Sequence, residues 1–233
     1  MRKSVRRWLA ALSATALLAA TVFVVNLVWF RPFSLNLFYE KVFIAFALEN
    51  PELLTHFGIA EQFGYRRHNA HLDDASPAKV ERDFAQWRRN LADLKAYDLA
   101  SQTPAQQLST RVLRWYIESD LEGEPFRYHD YPVNQLFGVQ SETAEFLISQ
   151  HRIADRRGAD DYLSRLGEIG RKFDQVLEGL VLREQKGVLP PRFVVERVLV
   201  EMRNFAARLA LENPLYANFA TKLKGLADLS EAD

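Results

Sequence analysis

Residues 161–187 read DYLSRLGEIGRKFDQVLEGLVLREQKG, and their spacing decides the fold class. Tyr162, Leu166, Ile169, Phe173, Val176 and Leu180 recur at alternating steps of four and three. An α-helix turns once in 3.6 residues, so these side chains form one stripe that must be covered by a neighbour. Gly187 follows the last turn, where a helix ends readily on a left-handed glycine. Gly167 and Gly170 interrupt the run, each at a cost of about 1 kcal/mol against Ala. Close packing of a neighbouring helix explains them most simply, and a ligand approaching that face is the alternative.

The same signals extend in both directions. Pro190-Pro191 opens a helix with Val194, Val198, Met202, Phe205 and Leu209 on one face. Asn213-Pro214 opens another with Leu215, Phe219, Leu223 and Leu226. Upstream, Thr103-Pro104 with Gln106 is a capping box, and its helix carries Leu108, Val112, Trp115 and Tyr116. Ser76-Pro77 is an N-cap followed by proline at the first helical position, ahead of Val80, Phe84, Trp87, Leu91 and Leu94. Residues 34–47 form a further, Phe-rich helix. The β-branched stretches around Val194 and Val198 invite a strand reading, but their 3–4 spacing and proline start oppose it. No segment alternates with period two. The chain is therefore all-α, with a multi-helix, antiparallel bundle-like body in which each apolar stripe is expected to be buried. Residues 122–141, with two glycines and two prolines among several aromatics, form a long irregular connection that is expected to pack down.

The N-terminus differs from that body. A run of 23 residues, opened by Trp8 and closed by Phe30, contains no charged group. As a helix it covers about 35 Å, enough for a bilayer core of about 30 Å. It is longer than a cleaved signal core, which favours an uncleaved anchor. Five basic residues and no acid lie in residues 1–31, four before the run and Arg31 after it. The positive-inside rule then keeps the N-terminus cytoplasmic and exports the body across the inner membrane to the periplasm. The expected division is a transmembrane segment at 1–31 and a helical body at 32–233, with the lipid bilayer as partner of the first.

Of the 30 basic residues only 25 remain for the body, against all 30 acidic ones. That mild acidity excludes a strongly basic nucleic-acid binder. With no cysteine, disulfides, thiolate metal sites and thiol catalysis are excluded. His68-Asn69-Ala70-His71, followed by Asp73-Asp74, could contribute to a divalent site if helical. Arg66-Arg67 beside it opposes a cation, so a polar loop is the plainer reading. No histidine is followed by Glu, so H-E-x-x-H is absent, as are G-x-S-x-G, P-loop and G-x-G-x-x-G patterns. Acid pairs such as Asp160-Asp161 and Glu142 with Glu145 suit helix starts, where the macrodipole favours them.

Three stretches taken in order carry a family resemblance. They are Pro51-Glu52-Leu53-Leu54 running to His71-Leu72-Asp73-Asp74; Tyr131-Pro132-Val133-Asn134-Gln135-Leu136-Phe137-Gly138-Val139-Gln140; and Asp161-Tyr162-Leu163-Ser164-Arg165-Leu166 leading to Gly187-Val188-Leu189-Pro190-Pro191-Arg192-Phe193-Val194. Together they resemble the bacterial domain-of-unknown-function family 885 (DUF885). Its members are large, mostly helical, often exported or membrane-attached, and similar to zinc peptidases of the carboxypeptidase Taq type. The resemblance implies a chain that continues well beyond residue 233, with zinc held only in the C-terminal half. Residues 228–233 read as the lead into another helix. No zinc ligand, catalytic base or cofactor is therefore expected within this chain. By resemblance Asn134 and Gln135 are candidates to face the substrate cleft, the alternative being that their amides satisfy buried backbone groups. The implied function is a membrane-anchored, N-terminal, non-catalytic portion of a zinc-dependent peptidase-like protein. It would be inactive alone and would meet peptide substrate together with the missing half. The competing reading is a complete, membrane-anchored helical interaction or scaffold module of the periplasm.

Overall fold

The computed structural model describes residues 2–224 and Leu226, and every regular element among them is helical. The α-helices are α1 (Arg2–Trp29), α2 (Leu35–Leu48), α3 (Pro51–Phe57), α4 (Pro77–Lys95), α5 (Pro104–Gly123), α6 (Val139–Glu145), α7 (Arg156–Gln185), α8 (Arg192–Ala206) and α9 (Pro214–Leu223). The all-α class expected from periodicity stands. The lead into a further helix expected at 228–233 lies outside the described residues.

Local chemistry places the helix ends. The Ser76 hydroxyl accepts from the Lys79 amide at 3.2 Å, capping α4. At α5 the capping box is reciprocal, the Thr103 amide donating to Gln106 Oε1 at 3.0 Å and the Gln106 amide to Thr103 Oγ1 at 3.3 Å. Asn213 caps α9 through the Leu215 amide at 3.0 Å. Gly187 takes φ +72° just past α7, and its amide donates to Glu184 O. Helix α7 starts at Arg156, ahead of its apolar stripe, because Asp155 accepts from the Gly158 amide at 2.8 Å and caps it there. Helix α1 holds an 18-residue apolar stretch, Leu12–Trp29, with none of it buried. It is long and apolar enough to cross a bilayer, a form shared by membrane anchors and signal sequences.

The chain divides into two compact units. The first comprises residues 1–46 and 86–121, the second residues 47–85 and 122–233. In the first, Leu35, Phe38, Val42 and Leu94 form the core, with Trp87, Tyr97 and Leu113 against it. The Tyr39 hydroxyl donates to Gln106 O at 3.0 Å and lies 2.6 Å from Thr110 Oγ1, which donates to Gln102 at 2.7 Å. These bonds turn the Thr110–Ile117 face of α5 inward. The apolar stripe of α5 expected to be buried is consequently exposed at Leu108, Val112, Trp115 and Tyr116, with Trp115 at 68%.

In the second unit the 30-residue α7 is the spine. Tyr162, Leu147 and Leu215 are buried together. The Tyr162 and Phe219 rings stack at 4.9 Å, and the Tyr162 hydroxyl donates to Leu215 O at 3.1 Å. Residues 71–75 run along α7, held by its side chains. Arg165 Nε donates to His71 O at 2.8 Å, Glu168 Oε2 accepts from the Leu72 amide at 2.7 Å, and Gln175 Oε1 accepts from the Ala75 amide at 3.1 Å. Leu209, expected on the buried face of α8, lies beyond that helix and is exposed.

Candidate functional site

Helices α7 and α8 enclose a cleft in the second unit. Their apolar stripes face one another across the Gly187 turn, and the segment 131–133 closes one end. The resulting cavity of about 540 Å³ is walled mainly by Phe173, Leu177, Val181, Val195, Leu199 and Met202. A second cavity of about 450 Å³ lies between α6, α7 and α8 and reaches the start of α9. Gln140, Phe173 and Met202 stand on both walls. Helix α6 runs into a π-type turn at Phe146–Gln150, whose Ile148 also lines the second cavity.

Gly170 lines that second cavity. A Cβ placed on it, or on Gly167, would meet no atom within 4 Å. Close packing of a neighbouring helix therefore does not explain these glycines among the described residues. At Gly170 the backbone is open to whatever enters the cleft.

Few polar groups reach this apolar space. Gln140 Nε2 donates to Asn134 O at 2.7 Å and approaches Glu201 Oε2 at 3.5 Å. The Thr143 hydroxyl, in the wall of the second cavity, does not reach it, being buried and without a hydrogen-bond partner among the described residues. At the rim, Arg183 pairs with Asp130 and lies over the Tyr128 ring at 5.7 Å. A groove with this character suits an extended apolar segment whose orientation is set by a few hydrogen bonds.

The expected cleft residues sit next to the cleft. Asn134 Oδ1 accepts from the amides of Leu136 and Phe137, both at 2.9 Å, and its Nδ2 donates to Tyr131 O at 2.8 Å. Its side chain thus builds the turn, and its carbonyl positions Gln140. Gln135 is half-buried and lines neither cavity. Tyr131, Pro132, Val133 and Gln140 of the same stretch line the first cavity.

The histidines serve a different structure. His68 and His71 do not share a face, because Arg67–Ala70 is a 3-10 turn and His71 is extended. His68 Nε2 lies 3.1 Å from Glu61, under the stacked ring of Tyr65, whereas His71 Nδ1 meets Glu168 at 2.9 Å. Among the described residues no group of three or more His, Asp or Glu is arranged to hold a metal ion. Burial pushes the His68 imidazole below its usual range, partly countered by Glu61.

Arg165 is the organising group of this region. Its Nη2 donates to Thr55 Oγ1 at 2.6 Å and to His68 O at 3.0 Å, and its Nη1 meets His151 Nδ1 at 2.8 Å. The guanidinium also lies over the Phe146 ring at 4.8 Å. Burial lowers Arg165 to about 10, which leaves it charged at neutral pH. Beside it, Asp155 accepts two bonds from Arg66, at 2.7 and 3.0 Å. That pairing and the Gly158 amide lower the Asp155 carboxyl to about 2. Sequence inspection missed Arg165, although its place between Tyr162 and Ile169, at steps of three and four, puts a cation on the buried face.

The comparisons agree with this helical architecture. The crystal structure of the putative lipoprotein from Colwellia psychrerythraea superposes with a TM-score of 0.67 at 15% identity. The match covers 79% of this chain and 34% of that one, so the chain spans about a third of that neighbour's length. At this identity the likeness concerns the fold alone. No curated protein matches the chain. The family model for bacterial protein of unknown function (DUF885) matches residues 51–233, the region holding all three stretches that carried the resemblance. The chain belongs to the DUF885 family.

Proposed function

We propose that this chain is the membrane-anchored, non-catalytic, N-terminal portion of an exported zinc-peptidase-like protein, and that its α7–α8 groove forms one wall of the site for an extended apolar peptide. The carrying observation is the groove itself, apolar along both helices, with Gly170 open beside it. The charge asymmetry about α1 supports a cytoplasmic N-terminus and a periplasmic body. Zinc and the catalytic base belong, in this reading, to a part outside residues 1–233.

The test uses the full chain in lipid nanodiscs with a fluorescently labelled apolar peptide and a fluorogenic peptide. The expected result is saturable binding without hydrolysis, with or without added zinc. Leu199→Glu, placed on the open wall of the groove, should weaken binding at least tenfold, the cost of burying an unpaired carboxylate against the peptide. Stoichiometric zinc accompanied by hydrolysis would overturn the non-catalytic assignment. Binding indifferent to Leu199→Glu would overturn the groove.

The exposed α5 stripe favours a second reading, an anchored helical interaction module. In that case a photo-crosslinker at Trp115 should capture one stoichiometric partner in native membranes, and the groove variant should leave that capture unchanged.

A further inference from the structure

We infer that α2 lies in the membrane interface, with the face carrying Leu37, Lys41 and Ile44 turned to the boundary between headgroups and acyl chains. The inference rests on the proposal that α1 spans the bilayer, and adds a second contact with the same partner.

Helix α2 reads LNLFYEKVFIAFAL, with Glu40 and Lys41 its only charges. A helix apolar nearly all round is either enclosed by protein or meets lipid. Only one side of α2 is enclosed by protein within its own unit, the side of Leu35, Phe38 and Val42. Leu37, Lys41 and Ile44 follow at steps of four and three on a flank about a third of a turn from that side, with Asn36 and Glu40 facing directly away from the core. Leu37 is half-buried and Ile44 is 51% exposed.

The connection to α1 gives this side its occupant. Lys41 Nζ donates to the carbonyls of Val28 at 3.0 Å and Phe30 at 2.8 Å. These lie in the last turn of α1 and just beyond it, where carbonyls lack partners within the helix. Asn26 braces the turn, its Nδ2 donating to Arg31 O and its Oδ1 accepting from the Phe33 amide, both at 2.9 Å. The middle of α2 is thereby held at the level of the last turn of α1, which is the membrane surface if α1 spans. Ile44 lies one turn from Lys41 on the same flank and is 51% exposed, and Phe33, in the braced turn between α1 and α2, is 71% exposed. Trp29 and Phe30 are exposed there too, in keeping with aromatic residues at an interface. Lys41 adds positive charge where anionic headgroups lie, Arg31 being turned to Ala96 O and the Tyr97 ring, and Glu40 borders the face.

The chain has no cysteine, so single introduced cysteines carry nitroxide labels without ambiguity. Leu18→Cys, Ile44→Cys, Phe33→Cys and Arg192→Cys full-length chains would be reconstituted in phosphatidylcholine–phosphatidylglycerol vesicles. Collision with oxygen and with nickel-EDDA would then be measured. Leu18 reports the interior of α1 and Arg192 the aqueous body. The inference expects Ile44 and Phe33 to be oxygen-accessible and nickel-protected, with depths between the two references and nearer Leu18. Nickel access at Ile44 and Phe33 equal to that at Arg192, with Leu18 buried in lipid, overturns the inference and leaves the span intact. Protection from both reagents means protein covers the face, which also overturns it. Aqueous access at Leu18 as well removes the spanning reading and the inference together. Phe33 keeps the test decisive should Ile44→Cys not fold.

Discussion

His151 Nδ1 receives Arg165 Nη1 at 2.8 Å while its Nε2 faces Gly158 O at 2.9 Å, and the two residues are 2% and 0% exposed. Acceptance at one ring nitrogen and donation at the other define a neutral imidazole of a single tautomer. A protonated ring would turn a second donor against the guanidinium.

That geometry gives stability a pH dependence. Burial first, then the charges of Arg165 and Lys222, against the raising bond to Gly158, lower His151 to about 4. The unfolded chain takes up a proton near 6.5 and the folded chain does not until about 4. The unfolded state therefore binds more protons in between, and stability falls as pH drops through that window. The contribution is fully present above pH 6.5, and about 3 kcal/mol of it is lost by pH 4. Urea unfolding at pH 7, 5.5 and 4.5 measures it. His151→Asn, whose amide oxygen can replace the Nδ1 acceptor, should flatten the slope in that range. An unchanged slope would assign it to other groups.

Arg165 itself tolerates no simple replacement. Its fork serves the carbonyls of His68 and His71, the Thr55 hydroxyl and His151. Arg165→Met leaves those acceptors buried without donors, at about 1–3 kcal/mol each before relaxation. Loss of at least about 3 kcal/mol, or failure to fold, is expected. Arg165→Lys keeps the charge but cannot reach four acceptors from one point, so it should lose more than half as much. Denaturant midpoints check both, and a Lys variant as stable as wild type would show that charge alone matters.

Helix starts were legible because they are local: Ser76, Thr103 and Asn213 cap with the geometry their positions imply. The helical period of α7 was legible too, but of its expected buried stripe only Tyr162 and Val176 are fully buried, Leu166 is exposed, and Arg165 and Lys172 take buried places on the same helix. On α5 the pattern misled, since Leu108, Val112, Trp115 and Tyr116 are more apolar than the face of Thr110 and Ile117, yet Tyr39 and Gln102 hydrogen-bond Thr110 inward. No spacing rule anticipates a partner 71 residues away. Asn134 and Gln135 were singled out by resemblance, but the Asn134 side chain builds the turn and Gln135 lines neither cavity, while Gln140 and Pro132 line the α7–α8 space. His68 and His71 suggested a shared face only on an α-helix, and the 3-10 turn at Arg67–Ala70 sends them to different carboxylates.

The glycines divide by conformation. Gly187 has φ +72°, so Gly187→Ala strains the backbone and should cost about 1 kcal/mol. Gly170 is helical and open, so Gly170→Ala should stabilise by up to about 1 kcal/mol. Gly170→Leu should keep the fold and occupy the cleft, reducing apolar peptide binding. Thermal unfolding separates the signs, and binding that survives Gly170→Leu would place the ligand elsewhere.

Lys172 offers a test in which acid should repair a defect. Its Nζ donates to Glu52 Oε1 at 2.5 Å, with side chains 9% and 18% exposed. Glu52 and Asp73 are also tied reciprocally, each amide donating to the other's carboxylate at 3.0 Å. Burial, then the adjacent Glu52 carboxylate, push Asp73 above the usual carboxylate range. Two carboxylates thus share one site, with the Lys172 ammonium bonded to Glu52 and Lys79 a further cation acting on Asp73. Lys172→Met removes the cation and should cost about 3 kcal/mol at pH 7. The folded variant then takes up a proton more readily than the unfolded chain, so its deficit relative to wild type shrinks as pH falls toward 5. Glu52→Gln with Lys172→Met should recover much of the loss at pH 7, because one negative charge is gone. Paired unfolding curves at pH 7 and 5 read both effects. A deficit that stays constant with pH would mean that Lys172 acts through packing of its stem, with the charge making no contribution.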